Sequence, residues 1–181
     1  MNVQKESELS KKIESAVRDV ADFPVKGIIF KDVTPLFQDI LLFNEIIEVL
    51  AESCKGKKID KIVGIEARGF IFGTALAVKM GVGFVPVRKK GKLPAKTVVE
   101  EYKLEYGTAA VEMHEDALKE GENVLIVDDL LATGGSATAA IKLVKQLKAN
   151  VAGAVFVIEL GFLNGRKALE GIDCFSLITY Q

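Results

Sequence analysis

The sequence predicts an α/β protein, a twisted and mostly parallel sheet with helices on both faces, and three observations carry that reading. First, from Lys61 onward short apolar runs alternate with helical stretches, as in Ile62–Ile65, Phe70–Met80, Val82–Val87, Val124–Val127 and Ala137–Lys148. Strands separated by helical runs form βαβ units with right-handed crossovers. Second, the strand runs are apolar at consecutive positions, which suits strands buried on both faces. Third, Glu66-Ala67-Arg68-Gly69, Arg88-Lys89-Lys90 and Asp128-Asp129 each follow a strand run directly. They therefore share the C-terminal edge of the sheet, where such folds bind ligands near a topological switch point.

The elements follow in order. Apolar residues at Leu9, Ile13, Ala16, Val17 and Val20 predict a helix over Ser7–Val20, which packs on the domain or on a partner subunit. Asp22-Phe23-Pro24 ends it, because the residue before Pro is pushed out of the helical region. Gly27–Asp32 reads as a short extended segment. Phe43, Ile46, Ile47, Leu50 and Ala51 mark a second amphipathic helix, closed by Gly56. Beyond the alternating section, Val151–Ile158 is a strand, Gly165–Leu169 a short helical turn and Cys174–Ile178 a last strand. Only residues 88–123 break the rhythm. There a basic loop punctuated by Gly91 and Pro94 precedes two hairpin strands, Lys96–Tyr106 and Ala110–Met113, around Gly107. A long polar hairpin projecting from a parallel sheet reads as a mobile lid.

Composition narrows the function. A chain of 181 residues, nearly half of them apolar, fits one domain. A formal net charge of −1 supplies no global basic field, so nucleic acid is not an expected partner. Cys54 and Cys174 lack CxxC spacing and His114 is the single histidine, so a zinc cluster is not expected. No stretch approaches the ~20 apolar residues of a membrane span, and the N-terminus lacks the apolar core of a signal peptide. The expectation is a soluble, cytoplasmic protein without membrane contact.

The chemistry concentrates in Val124–Ala140, VLIVDDLLATGGSATAA. An apolar strand runs into two carboxylates, then into Ala132-Thr133-Gly134-Gly135-Ser136 at the start of a helix. Such a loop is an anion site, with outward N–H groups, close approach at the glycines and a favourable helix dipole. Thr133 and Ser136 add hydroxyls. A Walker A loop needs Lys after the glycines, and Ala137 stands there; the dinucleotide pattern begun at Gly81-Val82-Gly83 fails at Pro86. Carboxylates beside a bare phosphate would repel it, so Asp128 and Asp129 imply a ligand that also carries ribose hydroxyls. Arg68, beside Gly69 at a helix start, suits a bidentate clamp on pyrophosphate. Arg88 and Lys92, in a run of four cations within five residues, are candidates to offset further phosphate charge, with Lys89 and Lys90 steering.

The Val124–Ala140 stretch resembles the signature of phosphoribosyltransferases, which bind 5-phosphoribosyl 1-diphosphate (PRPP). Together with Asp22-Phe23-Pro24, Gly27–Asp32, Gly64–Phe70, Arg88–Pro94 and Tyr102–Gly107, it resembles the adenine phosphoribosyltransferase family from about Asp22 to Tyr180. The resemblance implies a type I phosphoribosyltransferase fold. It further implies one domain over residues 1–181, a base-binding hood over 1–40 and a catalytic lid over 88–110. The implied activity is transfer of the phosphoribosyl group of PRPP to N9 of adenine, releasing AMP and pyrophosphate in purine salvage. The resemblance also implies Mg²⁺ carried with PRPP and a homodimer. By the same resemblance, Asp128, Asp129 and Ala132, Thr133, Gly134, Gly135 and Ser136 hold the ribose 5-phosphate. Arg68 and its turn, which the family often builds with a cis non-proline peptide, hold pyrophosphate. Phe30 stacks on adenine, and main-chain groups of Ile29 and Lys31 read the base edge. Glu105 takes the catalytic acid position on the lid, with Tyr106 beside it. Lys31 stands where many members have Arg, and Ser136 where Thr is commoner. A phosphoribosyltransferase for xanthine or hypoxanthine is the alternative enzyme, and a PRPP-binding regulator without catalysis the alternative class.

Overall fold

The computed structural model describes residues 3–103 and 108–181. Helix α1 (Val3–Ala16) stops four residues short of the predicted end. Arg18–Ala21 instead forms strand β1, antiparallel to β2 (Ile29–Asp32), with Val20 opposite Phe30. Residues Val17 and Val20 fit either period, and here the cross-strand pairing decides. Asp22-Phe23-Pro24 therefore opens the connection of this small sheet. Gly27 N–H donates to Asp22 Oδ1 (2.7 Å), and Phe23 N–H donates to the Ile28 carbonyl (3.3 Å).

The short helix α2 (Thr34–Gln38) carries Pro35 in its first turn, where a missing N–H costs nothing. Helix α3 (Ile40–Ser53) starts three residues before the apolar pattern does. Asp39 caps it by accepting from Leu41 and Leu42 N–H at 3.0 and 3.1 Å.

The main sheet is built from β3 (Lys61–Ile65), β4 (Gly83–Lys89), β5 (Thr97–Lys103), β6 (Thr108–His114), β7 (Asn123–Leu131), β8 (Asn150–Leu160) and β9 (Cys174–Tyr180). Helix α4 (Gly69–Met80) joins β3 to β4, and helix α5 (Gly135–Gln146) joins β7 to β8. Spatial order is β5-β6-β4-β3-β7-β8-β9. The five strands from β4 to β9 in that row run parallel, while β6 is antiparallel to both β4 and β5. The chain leaves β3 to one side for β4 and returns on the other side as β7. The switch point thus lies between β3 and β7.

Each sheet face carries its own core, and the strand residues alternate between the two. Ile62, Leu125 and Val155 pack with Leu9 and Ile13 of α1, Ile46 and Leu50 of α3, and Phe72 and Leu76 of α4. Val63, Ile126 and Phe156 pack with Ala140, Leu143 and Val144 of α5. The apolar stripe of α1 is therefore absorbed by the chain's own core. No helix among the described residues is long and apolar enough to cross a membrane.

Candidate functional site

Asp128 and Asp129 lie within β7, not after it as expected. Pairing of β7 with β3 ends at Gly64 opposite Val127, but pairing with β8 continues to Leu131 opposite Glu159. The continuing partner keeps the strand extended while the acids project past the end of β3. Helix α4 begins in the gap so formed. A Cβ on Gly69 would stand 2.7 Å from Asp128 Oδ1 and 2.8 Å from the Val127 carbonyl, so glycine alone permits this approach. The peptide between Glu66 and Ala67 is cis.

Both acids are buried. Removal from water pushes the Asp128 carboxyl well above the usual carboxylate range, and the adjacent Asp129 charge adds to the shift. Burial likewise raises Asp129, opposed by the Arg68 guanidinium. Arg68 Nε lies 2.8 Å from Asp129 Oδ2 as an ion pair. Its N–H is not aimed at that oxygen, which has no hydrogen-bond donor among the described residues. The same guanidinium sits over the Phe30 ring, 4.9 Å from its centre. The fold thus brings Phe30, Arg68 and Asp129, from three separate motifs, into one contact chain.

The basic loop is tied down by two acids that had no role in the sequence reading. Glu66 accepts from Arg88 Nε (3.2 Å) and Nη2 (3.3 Å) and from the Lys89 N–H (2.9 Å), while Arg88 Nη1 donates to the Lys92 carbonyl. Burial works against the Glu66 charge, yet the Lys89 N–H and Arg88 hold its carboxyl below the usual range. Glu112, buried on β6, accepts from the N–H groups of Lys92 and Leu93 at 2.8 Å each. An acid inside the apolar run Val111–Met113 was the available signal. The main chain of Lys92 is fixed in this way, and its side chain is exposed.

Loop residues Ala132–Ser136 wrap a cavity of about 210 Å³ that Tyr102 of β5 also lines. Gly134 adopts the left-handed conformation at φ +83°. Helix α5 starts at Gly135, two residues before the predicted start, so the N–H groups of Gly135 and Ser136 belong to its first turn. Burial raises the Tyr102 phenol above its usual value and the Asp128 charge adds to it; Tyr102 shares its cavity with Leu130 and Leu131, the two residues after the acid pair.

Phe30 is half-buried on β2, edge-on to Phe23 at 5.1 Å. Ile29 is exposed. The Lys31 ammonium is turned elsewhere, 2.6 Å from Asp19 Oδ1 and 4.1 Å from the centre of the Tyr180 ring. Glu105 and Tyr106, with Gly107, lie outside the described residues.

A family model for the phosphoribosyl transferase domain matches residues 37–175. The adenine phosphoribosyltransferase of a Thermoanaerobacter species is 55% identical over 168 residues, covering 93% of this chain and 97% of that protein. The chain belongs to the adenine phosphoribosyltransferase family. The crystal structure of the adenine phosphoribosyltransferase from Thermoanaerobacter pseudethanolicus superposes with a TM-score of 0.92 at 54% identity, covering 94% of this chain and 99% of that one. The Saccharomyces cerevisiae adenine phosphoribosyltransferase was crystallised with an imino-altritol bisphosphate and adenine. It superposes with a TM-score of 0.89 at 45% identity, over 95% of this chain and 99% of its own. The seven-stranded mixed sheet is thus the type I phosphoribosyltransferase fold.

Proposed function

We infer that this protein joins adenine to the phosphoribosyl group of PRPP at N9, giving AMP and pyrophosphate for purine salvage. The observation that carries the reading is the buried Asp128–Asp129 pair at the switch point, with Arg68 linking it to Phe30. Two buried carboxylates with raised pKa values and an oxygen lacking a donor fit the ribose hydroxyls, which donate to carboxylates. The Ala132–Ser136 loop takes the 5-phosphate on N–H groups at the start of α5, and Phe30 offers a face to the base. The yeast enzyme's complex with a bisphosphate sugar mimic and adenine supports this two-part occupancy.

Departure of pyrophosphate leaves positive charge on the sugar and negative charge on the leaving group. Arg68 and the N–H groups at the start of α4 face the leaving charge and stabilise it without reorganising. Mg²⁺, when bound with PRPP, neutralises further phosphate charge. The described residues contain no cluster of three or more potential side-chain metal ligands. By the family resemblance Mg²⁺ would travel with PRPP, and Asp128 and Asp129 would hold the ribose hydroxyls of that substrate. Arg88 and Lys92 supply cationic charge from the basic loop, and residues 88–110 act as the lid over a hood formed by residues 1–40. Both cysteines are free, which suits the reducing cytoplasm.

The direct test is AMP formation from adenine and PRPP with Mg²⁺. Absence of AMP from folded protein would overturn the reading. Asp128→Asn and Asp129→Asn are each expected to raise KM for PRPP by roughly 10- to 150-fold, since a charge-assisted hydrogen bond contributes about 1.5–3 kcal/mol. Asp128→Asn should also melt no lower than the parent at neutral pH. A carboxyl whose folded pKa is raised costs stability once pH exceeds its unfolded pKa, and the neutral amide avoids that cost. Unchanged PRPP kinetics in both variants would make the acids structural.

The homodimer uses the groove between α3 and α4. It is about 900 Å³, lined by Phe43, Ile47, Phe70 and Ile71 among others, with Val78 on its border 78% exposed. Glu48 and Lys79 pair on its rim within the chain, which leaves the rim without an unpaired like charge to repel a second copy. Light scattering should give twice the 19.6 kDa chain mass, and Val78→Asp should shift the particle towards one chain.

A further inference from the structure

The Ala132–Ser136 loop has no side-chain cap of its own, since Gly134 stands at the N-cap of α5 without a capping hydrogen bond. What backs the loop is a pair of 3₁₀ turns, Gly161–Leu163 and Gly165–Leu169, after β8. The contact is main chain on main chain. A Cβ on Gly165 would stand 2.1 Å from the Ala132 carbonyl oxygen and 3.1 Å from the Gly134 nitrogen. Reciprocally, a Cβ on Gly134 would stand 2.7 Å from the Gly165 carbonyl oxygen. From the other side, Thr138 Oγ1 in the first turns of α5 donates to the Ala168 carbonyl at 3.2 Å.

The turns are anchored in their own right by the next residue, Arg166. Its Nε donates to Glu159 Oε1 (3.1 Å), Nη1 to the Cys174 carbonyl (2.6 Å) and Nη2 to Ser176 Oγ (3.2 Å) as well as to Glu159 Oε2. Glu159 is buried on β8, opposite Leu131, the residue before the loop. Glu159 thus pairs through its main chain with the strand entering the loop, and through its carboxylate and Arg166 it holds the turn behind the loop. Its carboxyl is held below the usual range chiefly by the Arg166 hydrogen bonds, so the anchor is charged at neutral pH.

We propose that Gly165 and the Glu159–Arg166 pair are positioning residues for PRPP, holding the N–H groups of the Ala132–Ser136 loop aimed at the 5-phosphate before it arrives. This rests on the reading of that loop as the phosphate site. Without the backing, the loop keeps its hydroxyls and glycines but loses their fixed aim, and preorganisation is what makes such donors effective.

Steady-state kinetics of Gly165→Ala, Arg166→Lys and Glu159→Gln, each with its thermal unfolding, test the proposal. The expected result is a rise in KM for PRPP of about tenfold or more, the worth of one charge-assisted hydrogen bond. The KM for adenine and kcat should move less than about threefold. Ribose 5-phosphate, titrated by calorimetry, should weaken in parallel. If Gly165→Ala does not fold, the two milder variants decide. Folded variants with lowered melting temperature and unchanged KM for PRPP would reduce these residues to structural support and overturn the proposal. Thr133→Asp and Ser136→Asp, which set a negative charge against any phosphate bound in the loop, separate the two readings. Normal PRPP kinetics in both would remove the phosphate site itself and the proposal with it. A raised KM there with normal Gly165→Ala kinetics would remove the positioning role alone.

Discussion

Hypoxanthine is expected to be used with kcat/KM roughly 10⁴-fold or more below that of adenine. Ile29, Phe30 and Lys31 lie on β2, which among the described residues pairs with β1 alone. In an antiparallel pair, alternate residues turn both their N–H and C=O to the unpaired edge. Ile29 and Lys31 share one edge, since the alternation has period two. An edge that presents a carbonyl beside an N–H matches adenine, which offers a donor at its 6-amino group and an acceptor at N1. A 6-oxo base offers an acceptor and a protonated N1, so both protein groups lose their partners. Sites built on hydrogen bonds reject such analogues by about 10⁴-fold or more. The Lys31 ammonium is engaged with Asp19 and Tyr180, so Lys31→Arg should leave the preference intact. Competition between the two bases for limiting PRPP measures it, and comparable turnover of hypoxanthine would end the main-chain account.

Glu105→Gln should lower kcat by two or more decades and leave KM for PRPP nearly unchanged. Adenine sheds its N9 proton as N9 attacks, and a carboxyl donating to N7 eases that redistribution. An enclosed site raises the pKa of such a carboxyl and lets it donate near neutral pH. Positioned proton transfer contributes about 10²–10⁴ in rate. The assignment comes from the resemblance of Tyr102–Gly107 to the family, and the neighbouring stem supports it. Tyr102, three positions earlier, lines the cavity of the Ala132–Ser136 loop and lies within reach of the Asp128 charge. Glu105→Leu should lose at least as much, having no hydrogen bond to offer. Should both variants keep kcat within a few-fold of the parent, Glu105 is lid surface and catalysis rests on leaving-group stabilisation.

The parallel core was legible because buried strands such as Ile62–Ile65 and Val124–Val127 leave continuous apolar runs, and α4 and α5 follow them at βα spacing. The hairpin was legible for the opposite reason, as a polar break in that rhythm. Val20 was misread because a residue at helical spacing also suits a strand, and the partner that decided it, Phe30, lies ten positions away. The acids were read as following β7 because periodicity reports apolar residues, whereas the strand's end is set by pairing with β8. At the site, Arg68, Phe30 and Asp129 were each picked from local motifs, but their contact chain joins segments far apart and left no local trace. Glu66, Glu112, Glu159 and Gly165 were passed over for a related cause. Their partners are main-chain groups or a distant arginine, which no spacing rule encodes.

Arg68 lies against Asp129 and over Phe30, and this has a consequence for selectivity against abundant small anions. Inorganic phosphate approaching Arg68 meets a guanidinium already neutralised by one buried carboxylate, with a second beside it. Such an ion brings no hydroxyl pair to occupy the acids, so taking Arg68 would strand a buried charge. A sugar diphosphate brings both halves of the exchange, hydroxyls for the acids and phosphate oxygens for the arginine. Inorganic phosphate alone is therefore expected to compete poorly with PRPP, which inhibition kinetics check.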